Sequence, residues 1–381
     1  MFRLTEEYQE IQENIHRLAQ EKVKPRAAEI DEAGEYPHDM KELFAEYGYL
    51  GANIPEDYGG TGLDLLSFCI IVEEVARVCA STSQVLTVQE LASLPIMIGA
   101  GEDLKKRVLP AIASGEKIAA YALTEPGAGS DAQSLKTRAE KDGDNYILNG
   151  QKMFISNGGV ADLYTVFAQT GQGISAFVVD KGTPGFEVGK LEEKMGIKGS
   201  PTAQLFFENC RVPADNLIGK DGEGWLYAMK TFDKSRPTIG AQALGIAQGA
   251  LDACINYVQE REQFGKPIAS FQGVQFMIAD MTTQIEAARG LVYKAAAMVN
   301  DLKSTGKNQE LTRQASMAKM FASDTAMKVT TDAVQLFGGY GYMKEYAVER
   351  MMRDAKITQI YEGTNQIQRL VIARSVLGGR K

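Results

Sequence analysis

The chain has 381 residues, of which 44% are hydrophobic and 24% are charged, and its formal net charge is −8. This length predicts two or three domains, and the composition is typical of an ordinary globular protein. The negative charge argues against a nucleic-acid partner. The sequence contains no run of about 18 apolar residues, so we expect no membrane span. The four cysteines are widely spaced and the N-terminus carries no signal or transit pattern, so we expect a cytoplasmic protein.

Histidine usage narrows the chemistry further. The chain has two histidines, His16 in a charged helical stretch and His38 in a turn after Pro37. A Ser-His-Asp triad or a histidine-based zinc site needs more imidazoles, or better placed ones. We therefore expect no metal site, and acid–base chemistry must fall to Asp, Glu, Lys or Tyr.

Three patterns follow one another along the chain. Residues 1–120 show mainly helical periodicity. Residues 121–230 change to short apolar runs between turn residues, and Asn149-Gly150 predicts a tight turn between two strands. Residues 231–381 return to long helical stripes. We predict an α+β multi-domain protein with an N-terminal helical domain, a central antiparallel β domain and a C-terminal four-helix-bundle-type domain.

The first candidate site is the segment 121–132, which reads YALTEPGAGSDA. Its last six residues formally match the dinucleotide-binding pattern G-x-G-x-x-A. That pattern belongs in a βαβ unit, whereas here Pro126 precedes it and strands joined by a tight turn follow. We favour a loop whose backbone N–H groups and Ser130 hydroxyl contact a phosphate or a flavin edge.

Four further segments carry candidate binding groups. In 151–158 (QKMFISNG), Phe154 can pack on a flat ring while Ser156 bonds its polar edge, although a plain strand end with a buried Phe154 is the alternative. The stretch 232–237 (FDKSRP) predicts a helix start with Pro just inside it. In 261–267 (REQFGKP), Arg261 offers a planar fork of donors suited to a pyrophosphate. The segment 335–341 (QLFGGYG) predicts a glycine turn. For the stretches 232–237, 261–267 and 335–341, the alternative interpretation is a capped helix, a surface salt bridge or a glycine stop.

The most informative segment is 359–368, which reads QIYEGTNQIQ. It places Glu362 beside Gly363 at a break between two helical patterns, and Thr364 or Asn365 can cap the second helix. A carboxylate on such a corner can project into a cleft, and Gly363 lets another molecule approach the backbone. The alternative is a capped helical hairpin with an exposed glutamate.

This segment resembles the signature of the acyl-CoA dehydrogenases, flavoenzymes that oxidise the Cα–Cβ bond of a coenzyme A thioester. The resemblance covers essentially the whole chain, because the segments above occur in the family's order. It implies bound FAD, an acyl-CoA substrate, an electron-transferring flavoprotein as acceptor, and a homotetramer arranged as a pair of dimers. It also implies that Arg261 and Gln335 reach the cofactor of a neighbouring subunit.

The resemblance assigns roles residue by residue. It implies that Glu362 is the catalytic base. The residues that it implies for the cofactor are Tyr121, Leu123, Thr124, Gly129, Ser130, Phe154, Ile155, Ser156, Arg261, Phe264, Gln272, Gln335, Gly338, Gly339, Thr364 and Gln366. The residues that it implies for the substrate are Gln89, Glu90, Leu91, Ser130, Asp233, Arg236, Tyr361 and Gly363.

The mechanism that the resemblance implies divides the work between protein and flavin. Glu362 takes the α-proton, with a basicity raised by burial. The β-hydrogen leaves as hydride to flavin N5, and the backbone N–H of Glu362 and a flavin ribityl hydroxyl polarise the thioester carbonyl. Some family members carry the base near Arg236 instead. This chain has Ser235 there and no carboxylate replaces it, so the choice falls on Glu362.

The acyl group is harder to predict. The segment 86–95 corresponds to the helix that lines the acyl pocket, and we favour a solvent-facing Glu90 over one that faces the pocket. An inward Glu90 would suit a polar, branched or alicyclic acyl group such as cyclohexanecarboxyl. No arginine between Val78 and Lys105 awaits a second carboxylate, which disfavours glutaryl-CoA. We expect a short to medium, branched or alicyclic substrate; an acyl-CoA oxidase and a non-catalytic scaffold are the other interpretations.

Overall fold

The computed structural model describes residues 4–301 and 308–378. The N-terminal helices are α1 (Glu6–Leu18), α2 (Ala27–Ala33), α3 (His38–Glu46), α4 (Leu65–Ala76), α5 (Ala80–Gly99) and α6 (Glu102–Ala113). The strands that follow are β1 (Ala119–Ala122), β2 (Arg138–Asp142), β3 (Asn145–Ser156), β4 (Leu163–Thr170), β5 (Gly173–Asp180), β6 (Phe186–Leu191) and β7 (Thr202–Pro213). The C-terminal part contains α7 (Gly224–Glu260), the hairpin β8 (Glu262–Gln263) and β9 (Lys266–Pro267), α8 (Gln272–Asp301), α9 (Gln309–Phe337), α10 (Ala347–Thr358) and α11 (Asn365–Val376).

Helices α4 and α5 lie at the centre of the molecule. Every residue of α4 is buried, and the helix is capped by Asp64, whose Oδ1 accepts a hydrogen bond from the Ser67 N–H at 2.8 Å. A helix that is apolar on most sides must be surrounded by protein, and α4 packs against α1, α5, α7 and α8. Helix α5 contacts both β1 and α7. It therefore lies between the sheet and the C-terminal helices.

The central sheet has seven strands, six of them in the order β1-β4-β2-β3-β7-β6, and β5 pairs with β4 outside this order. The pairs β2–β3, β3–β7, β4–β5 and β6–β7 are antiparallel, as predicted. Two pairings differ from the prediction, because β1 and β2 each pair with β4 in parallel. The sheet is therefore mixed. Strand β1 follows α6 directly and leads into the cleft described below.

The tight turn predicted at Asn149-Gly150 is wrong. These residues lie inside β3, where the register against β7 shifts between Leu148 and Gly150. Gly150 has φ +149°, and the Asn149 side chain accepts a hydrogen bond from the Asn209 N–H at 2.8 Å. A bulge thus uses the same residues that favour a turn. The β2–β3 turn lies earlier, at residues 143–144.

The C-terminal part is built on the 37-residue helix α7. It packs against α4, α5, α8, α9 and α10. The helix start predicted near Pro237 is wrong, since Pro237 lies in the interior of α7. An interior proline removes one backbone hydrogen bond at a cost of about 3 kcal/mol, and the extensive burial of α7 outweighs that cost. Within the described residues, no helix is long and apolar enough to cross a membrane. The limits at residues 120 and 230 stay a prediction.

Candidate active site

A cleft of about 590 Å³ lies where the N-terminal helices, the sheet and the C-terminal helices meet. It is lined on the N-terminal side by Gln84, Thr87, Val88 and Leu91 of α5. The sheet side contributes Tyr121, Leu123, Thr124, Gly129, Ser130, Asp131, Ala132, Gln133, Phe154, Ile155 and Ser156. The C-terminal side contributes Trp225, Met229, Phe232, Arg236, Ile239, Tyr361, Glu362, Gly363, Ile367, Leu370, Val371 and Arg374. The cleft thus brings together segments far apart in sequence, including eight of the sixteen predicted cofactor residues and five of the eight predicted substrate residues.

Glu362 occupies the corner between α10 and α11, and its backbone is strained. Its φ is +51° and that of Gly363 is +91°, a region that residues other than glycine rarely adopt and that often marks functional sites. The Thr364 hydroxyl accepts a hydrogen bond from the Ile367 N–H at 3.3 Å and caps α11, as predicted. The Gln368 amide donates to the carbonyl oxygens of Glu362 (3.2 Å) and Gly363 (2.9 Å).

The electrostatic surroundings of the Glu362 carboxylate are those of a tuned base. Burial raises its pKa, while the hydrogen bond from Ser235 and the charges of Arg236 and Lys319 lower it. The net direction is upward, in agreement with the basicity expected from burial. Among the described residues, the backbone N–H of Glu362 has no hydrogen-bond acceptor. That donor is available to a ligand oxygen.

The loop 124–130 is anchored beneath the cleft by a buried ion pair. Lys152 of β3 donates to Glu125 at 2.8 Å, and both side chains are buried. The Glu125 carboxylate also accepts from the N–H groups of Lys136 (2.6 Å) and Thr137 (2.9 Å). A buried carboxylate with this many donors is fully compensated. Glu125 and Lys152 therefore position the glycine loop, and their side chains do not line the cleft.

Phe154 has the geometry of a ligand contact. It ends the irregular part of β3 with φ +59°, and 61% of its surface is exposed although it lines the cleft. The alternative of a buried phenylalanine at a plain strand end is therefore wrong. An exposed aromatic ring beside Ser156 offers a flat apolar surface together with a hydroxyl.

Glu90 is buried, so the favoured solvent-facing interpretation is wrong. It is only 2% exposed. Its Oε1 accepts hydrogen bonds from Asn53 (3.0 Å) and Thr238 (3.3 Å), whereas Oε2 has no partner. Burial, with the nearby Glu362 charge, raises its pKa well above the usual range. In the described structure the Glu90 side chain lies behind the cleft wall and not in it.

Gln89 was predicted as a substrate residue, and its hydrogen bonds contradict that role. Its amide donates to the carbonyl oxygens of Ile112 (2.9 Å) and Lys117 (2.8 Å) and accepts from the Ala119 N–H at 2.9 Å. These bonds tie α5 to α6 and β1. Leu91, in contrast, lines the cleft as predicted.

Arg236 and Asp233 form a unit in which only the arginine faces the cleft. Arg236 is 6% exposed, and its Nε has no partner among the described residues. Asp233 lies 3.8 Å from Arg236 and accepts a hydrogen bond from Thr312 at 2.7 Å. In the described structure Asp233 does not line the cleft, so it does not contact a ligand bound there. Its ion pair orients the Arg236 side chain.

The remaining predicted cofactor residues lie elsewhere on the surface. Arg261, Gly338 and Gly339 line a second hollow, where the Arg261 guanidinium lies 5.3 Å from the ring centre of Tyr340. Thr364 and Gln366 line a third hollow with Asp324 and Arg369. Gln272 begins α8, Gln335 lies near the end of α9, and Phe264 is 93% exposed with φ +55°. One chain alone does not bring these residues to the cleft.

Some lining residues were missed at the sequence level. Trp225, Met229, Phe232 and Arg236 follow one another at three- to four-residue spacing and form one face of α7. That periodicity would have identified Trp225 and Met229 if the helix had been predicted to begin at Gly224. Gln84, which donates to the Tyr361 hydroxyl at 3.0 Å, carried no local signal.

Comparison with known proteins gives a consistent result along the whole chain. Residues 5–116, 120–210 and 222–377 match the N-terminal, middle and C-terminal domains of acyl-CoA dehydrogenase. A probable acyl-CoA dehydrogenase of Mycobacterium tuberculosis is 52% identical over 99% of this chain and 97% of that protein. The cyclohexane-1-carbonyl-CoA dehydrogenase of Geobacter metallireducens is 48% identical over 99% of both.

Solved structures agree with these relatives. A chain from a structure described as the electron transferring flavoprotein of Acidaminococcus fermentans is 50% identical, with a TM-score of 0.95 and 99% coverage of both chains. Butyryl-CoA dehydrogenase from Megasphaera elsdenii is 46% identical, with a TM-score of 0.94 and coverage of 99% of this chain and 100% of that one. The predicted family, fold class and enzyme class are confirmed. The chain belongs to the acyl-CoA dehydrogenase family, whose members are FAD-dependent oxidoreductases.

Proposed function

We propose that this acyl-CoA dehydrogenase uses Glu362 as the general base that removes the α-proton of an acyl-CoA thioester. The observation that carries the proposal is the position of Glu362, which lines the cleft on a strained corner with a pKa raised by burial. A carboxylate with raised pKa is a stronger base. The thioester carbonyl acidifies the α C–H, so a well-placed carboxylate can remove that proton.

The residues of the cleft fit FAD. Phe154 supplies an exposed ring for the flat ring system, Ser156 and Thr124 offer hydroxyls, and Gly129 and Ser130 form a loop that permits close approach. Tyr121, Leu123 and Ile155 complete that wall. When bound, FAD supplies the redox chemistry by accepting the β-hydrogen as hydride at N5.

The backbone N–H of Glu362 stabilises the negative charge that develops on the thioester oxygen. It has no acceptor among the described residues. The Gln368 amide donates to the carbonyl oxygens of Glu362 and Gly363 and so fixes the backbone orientation at this corner. A donor that is oriented before substrate binds stabilises developing charge without reorganisation. Tyr361, Gly363 and Arg236 surround this position and bind the thioester.

A second subunit completes the cofactor site. Arg261, Phe264, Gln272, Gln335, Gly338 and Gly339 serve the FAD of a neighbouring chain, and Thr364 and Gln366 take part at the same contact. Two observations support this assignment: Phe264 is 93% exposed with a strained backbone, and Arg261 lines a hollow other than the cleft. The proposed assembly is a homotetramer made of two dimers.

The acyl group is short to medium, branched or alicyclic. Leu91, Met229 and Ile239 give the cleft an apolar wall, and α5 carries no arginine to pair with a distal carboxylate. The relatives named for butyryl-CoA and cyclohexane-1-carbonyl-CoA fall in these classes. The proposed electron acceptor is an electron-transferring flavoprotein, and the proposed location is the cytoplasm.

An anaerobic titration of the purified enzyme tests the proposal. Butyryl-CoA, hexanoyl-CoA and cyclohexanecarboxyl-CoA are each added while the flavin spectrum is recorded. Loss of the oxidised flavin absorbance, with formation of the 2-enoyl-CoA, is the expected result. A colourless protein, or a flavin that no acyl-CoA reduces, would contradict it. Rapid reoxidation by oxygen, and not by an electron-transferring flavoprotein, would identify an oxidase.

A further inference from the structure

Lys319 of α9 is a fully buried lysine beside the catalytic corner. Its exposed fraction is 0%. Its Nζ donates to the Gly363 carbonyl oxygen at 2.9 Å and to the Asn365 side-chain oxygen at 3.0 Å. Among the described residues, no carboxylate lies within 4.0 Å of this ammonium group. A buried ammonium without a contact ion pair is costly, so its position calls for a reason other than stability.

The two acceptors of Lys319 are part of the catalytic segment. The Gly363 carbonyl belongs to the second of two consecutive residues with positive φ. Asn365 is the first residue of α11, and its side chain also bonds Ser323 (2.9 Å) and Asp324 (2.7 Å) of α9. Lys319 therefore joins α9 to the backbone that carries Glu362, at a point where that backbone is strained.

The charge of Lys319 also acts on Glu362. Burial lowers the pKa of Lys319 to about 7, and the strongest opposing influence is the attraction of the Glu362 carboxylate. Reciprocally, Lys319 lowers the pKa of Glu362. The titratable or charged groups that face Glu362 are Arg236 of α7, Lys319 of α9, Glu90 of α5, Tyr121 of β1 and the adjacent Tyr361; Asp324 of α9 also acts on Lys319.

We propose that Lys319 is a positioning residue for the proposed base: its ammonium group holds the Glu362–Gly363 backbone and balances the charge of the Glu362 carboxylate. This inference rests on the proposed role of Glu362. Removal of the ammonium group leaves the carboxylate without one of its two neighbouring cations. The proton then stays on Glu362 to higher pH, and the acid limb of proton abstraction moves upward.

The test compares Lys319→Met, Lys319→Gln and a control, Lys328→Met, as FAD-loaded enzymes. Lys328 lies on the same helix but is 53% exposed and pairs with Asp332 at 2.6 Å. The probe is 3-thiaoctanoyl-CoA, which has an acidic α C–H but a sulfur atom in place of the β-carbon. It can lose the α-proton and cannot give a β-hydride, so the absorbance of the bound enolate reports proton abstraction alone.

In both Lys319 variants, the pH midpoint for enolate formation is expected to rise by about one unit, the lower range for a neighbouring opposite charge. In Lys328→Met it is expected to match that of the wild type. Lys319→Gln keeps a hydrogen-bond donor, and it decides the outcome if Lys319→Met fails to retain FAD. An unchanged midpoint in Lys319→Gln would overturn the inference. Enolate formation that persists in Glu362→Gln would instead overturn the proposed base, so the two failures are distinguishable.

Discussion

Two carboxylates near the cleft, Glu362 and Glu90, have different means of compensation. Glu362 is surrounded by Ser235, Arg236 and Lys319, whereas Glu90 has two neutral donors and one oxygen without a partner. A carboxylate near cations can ionise inside a protein, while one with few neutral donors keeps its proton. The site therefore holds one carboxylate suited to act as a base and one suited to remain neutral.

Glu362→Gln is expected to keep FAD and substrate binding nearly intact while slowing reduction of the flavin by substrate at least about a hundredfold. The amide has the same shape but cannot accept the α-proton. Stopped-flow reduction with butyryl-CoA measures the effect, and Glu345→Gln, an exposed glutamate, is the matched control. Reduction at the wild-type rate would place the base elsewhere.

At the scale of elements, two aspartates with opposite electrostatics hold α10, Asp354 to the β6–β7 loop and Asp31 to α2. Asp354 accepts a hydrogen bond from the Ile197 N–H at 2.5 Å, and burial raises its pKa to about 6. Asp31 forms an ion pair with Arg353 at 2.6 Å. Although burial opposes it, this pair lowers the pKa of Asp31. Both contacts hold the helix that leads into the Glu362 corner.

Asp354→Asn is expected to raise the free energy of unfolding at pH 7 by roughly 1–3 kcal/mol. In the unfolded chain Asp354 loses its proton near its ordinary pKa, before the folded chain does, so ionisation costs stability as pH rises from about 4 to about 6. Asparagine removes that cost and keeps the acceptor for the Ile197 N–H. Urea unfolding at pH 4, 5, 6 and 7 measures the difference.

Asp31→Asn is the control with the opposite sign. A lowered pKa contributes stability above the ordinary value of 3.8 that is lost as pH falls. This variant is therefore expected to be less stable than the wild type at pH 7 and nearly equal to it at low pH. A loss of stability in Asp354→Asn at pH 7 would contradict the account of α10.

The helices and strands of the structure show how far the fold could be predicted from the sequence. Periodicity identified the helical and strand regions, because long apolar patterns leave few ways to bury the side chains. It failed at Asn149 and Pro237, where tertiary packing outweighs a local preference for a turn or a helix start. The predicted exposure of Glu90 was wrong, and nothing in the sequence pointed to a buried Lys319, since the partners of both side chains come from distant segments. The corner between α10 and α11 that carries Glu362 was predicted because Gly363 and the helix cap mark it locally.

For the whole molecule, the proposal of a site shared between chains rests on the distribution of candidate cofactor residues over separate hollows. Arg261 and Ser130 line different cavities. Residues such as the 93% exposed Phe264 are costly to leave in water, and a subunit contact would cover them. Assembly and cofactor binding should therefore depend on each other.

Arg261→Ala is accordingly expected to lower FAD occupancy and to weaken the assembly, because a pyrophosphate would lose its bidentate donor. Flavin absorbance per chain, together with light scattering, measures both effects on one sample. Arg211→Ala, which removes an exposed pair with Asp142 on the sheet, is the control and should change neither. A stable monomer with full FAD occupancy would contradict the shared site.

The acyl specificity follows from the same distribution of charge over the molecule. Helix α5 presents Val88 and Leu91 to the cleft, and its one carboxylate lies behind that wall with no arginine on the helix to pair with a ligand. An unpaired substrate carboxylate in such surroundings costs several kcal/mol. Butyryl-CoA, hexanoyl-CoA and cyclohexanecarboxyl-CoA are therefore each expected to reduce the flavin with a higher kcat/KM than glutaryl-CoA does.

Glu90→Gln then separates two origins of alicyclic specificity. If Glu90 acts only behind the cleft wall, the neutral amide replaces a carboxyl group that burial already keeps protonated, and the ratio of kcat/KM for cyclohexanecarboxyl-CoA over butyryl-CoA stays constant. A selective loss with the alicyclic thioester would mean that the side chain turns toward the ring when substrate binds. Fast turnover of glutaryl-CoA by the wild type would show that a cation of the cleft pairs with the distal carboxylate, and Arg374, which lines the cleft, would be the first residue to replace.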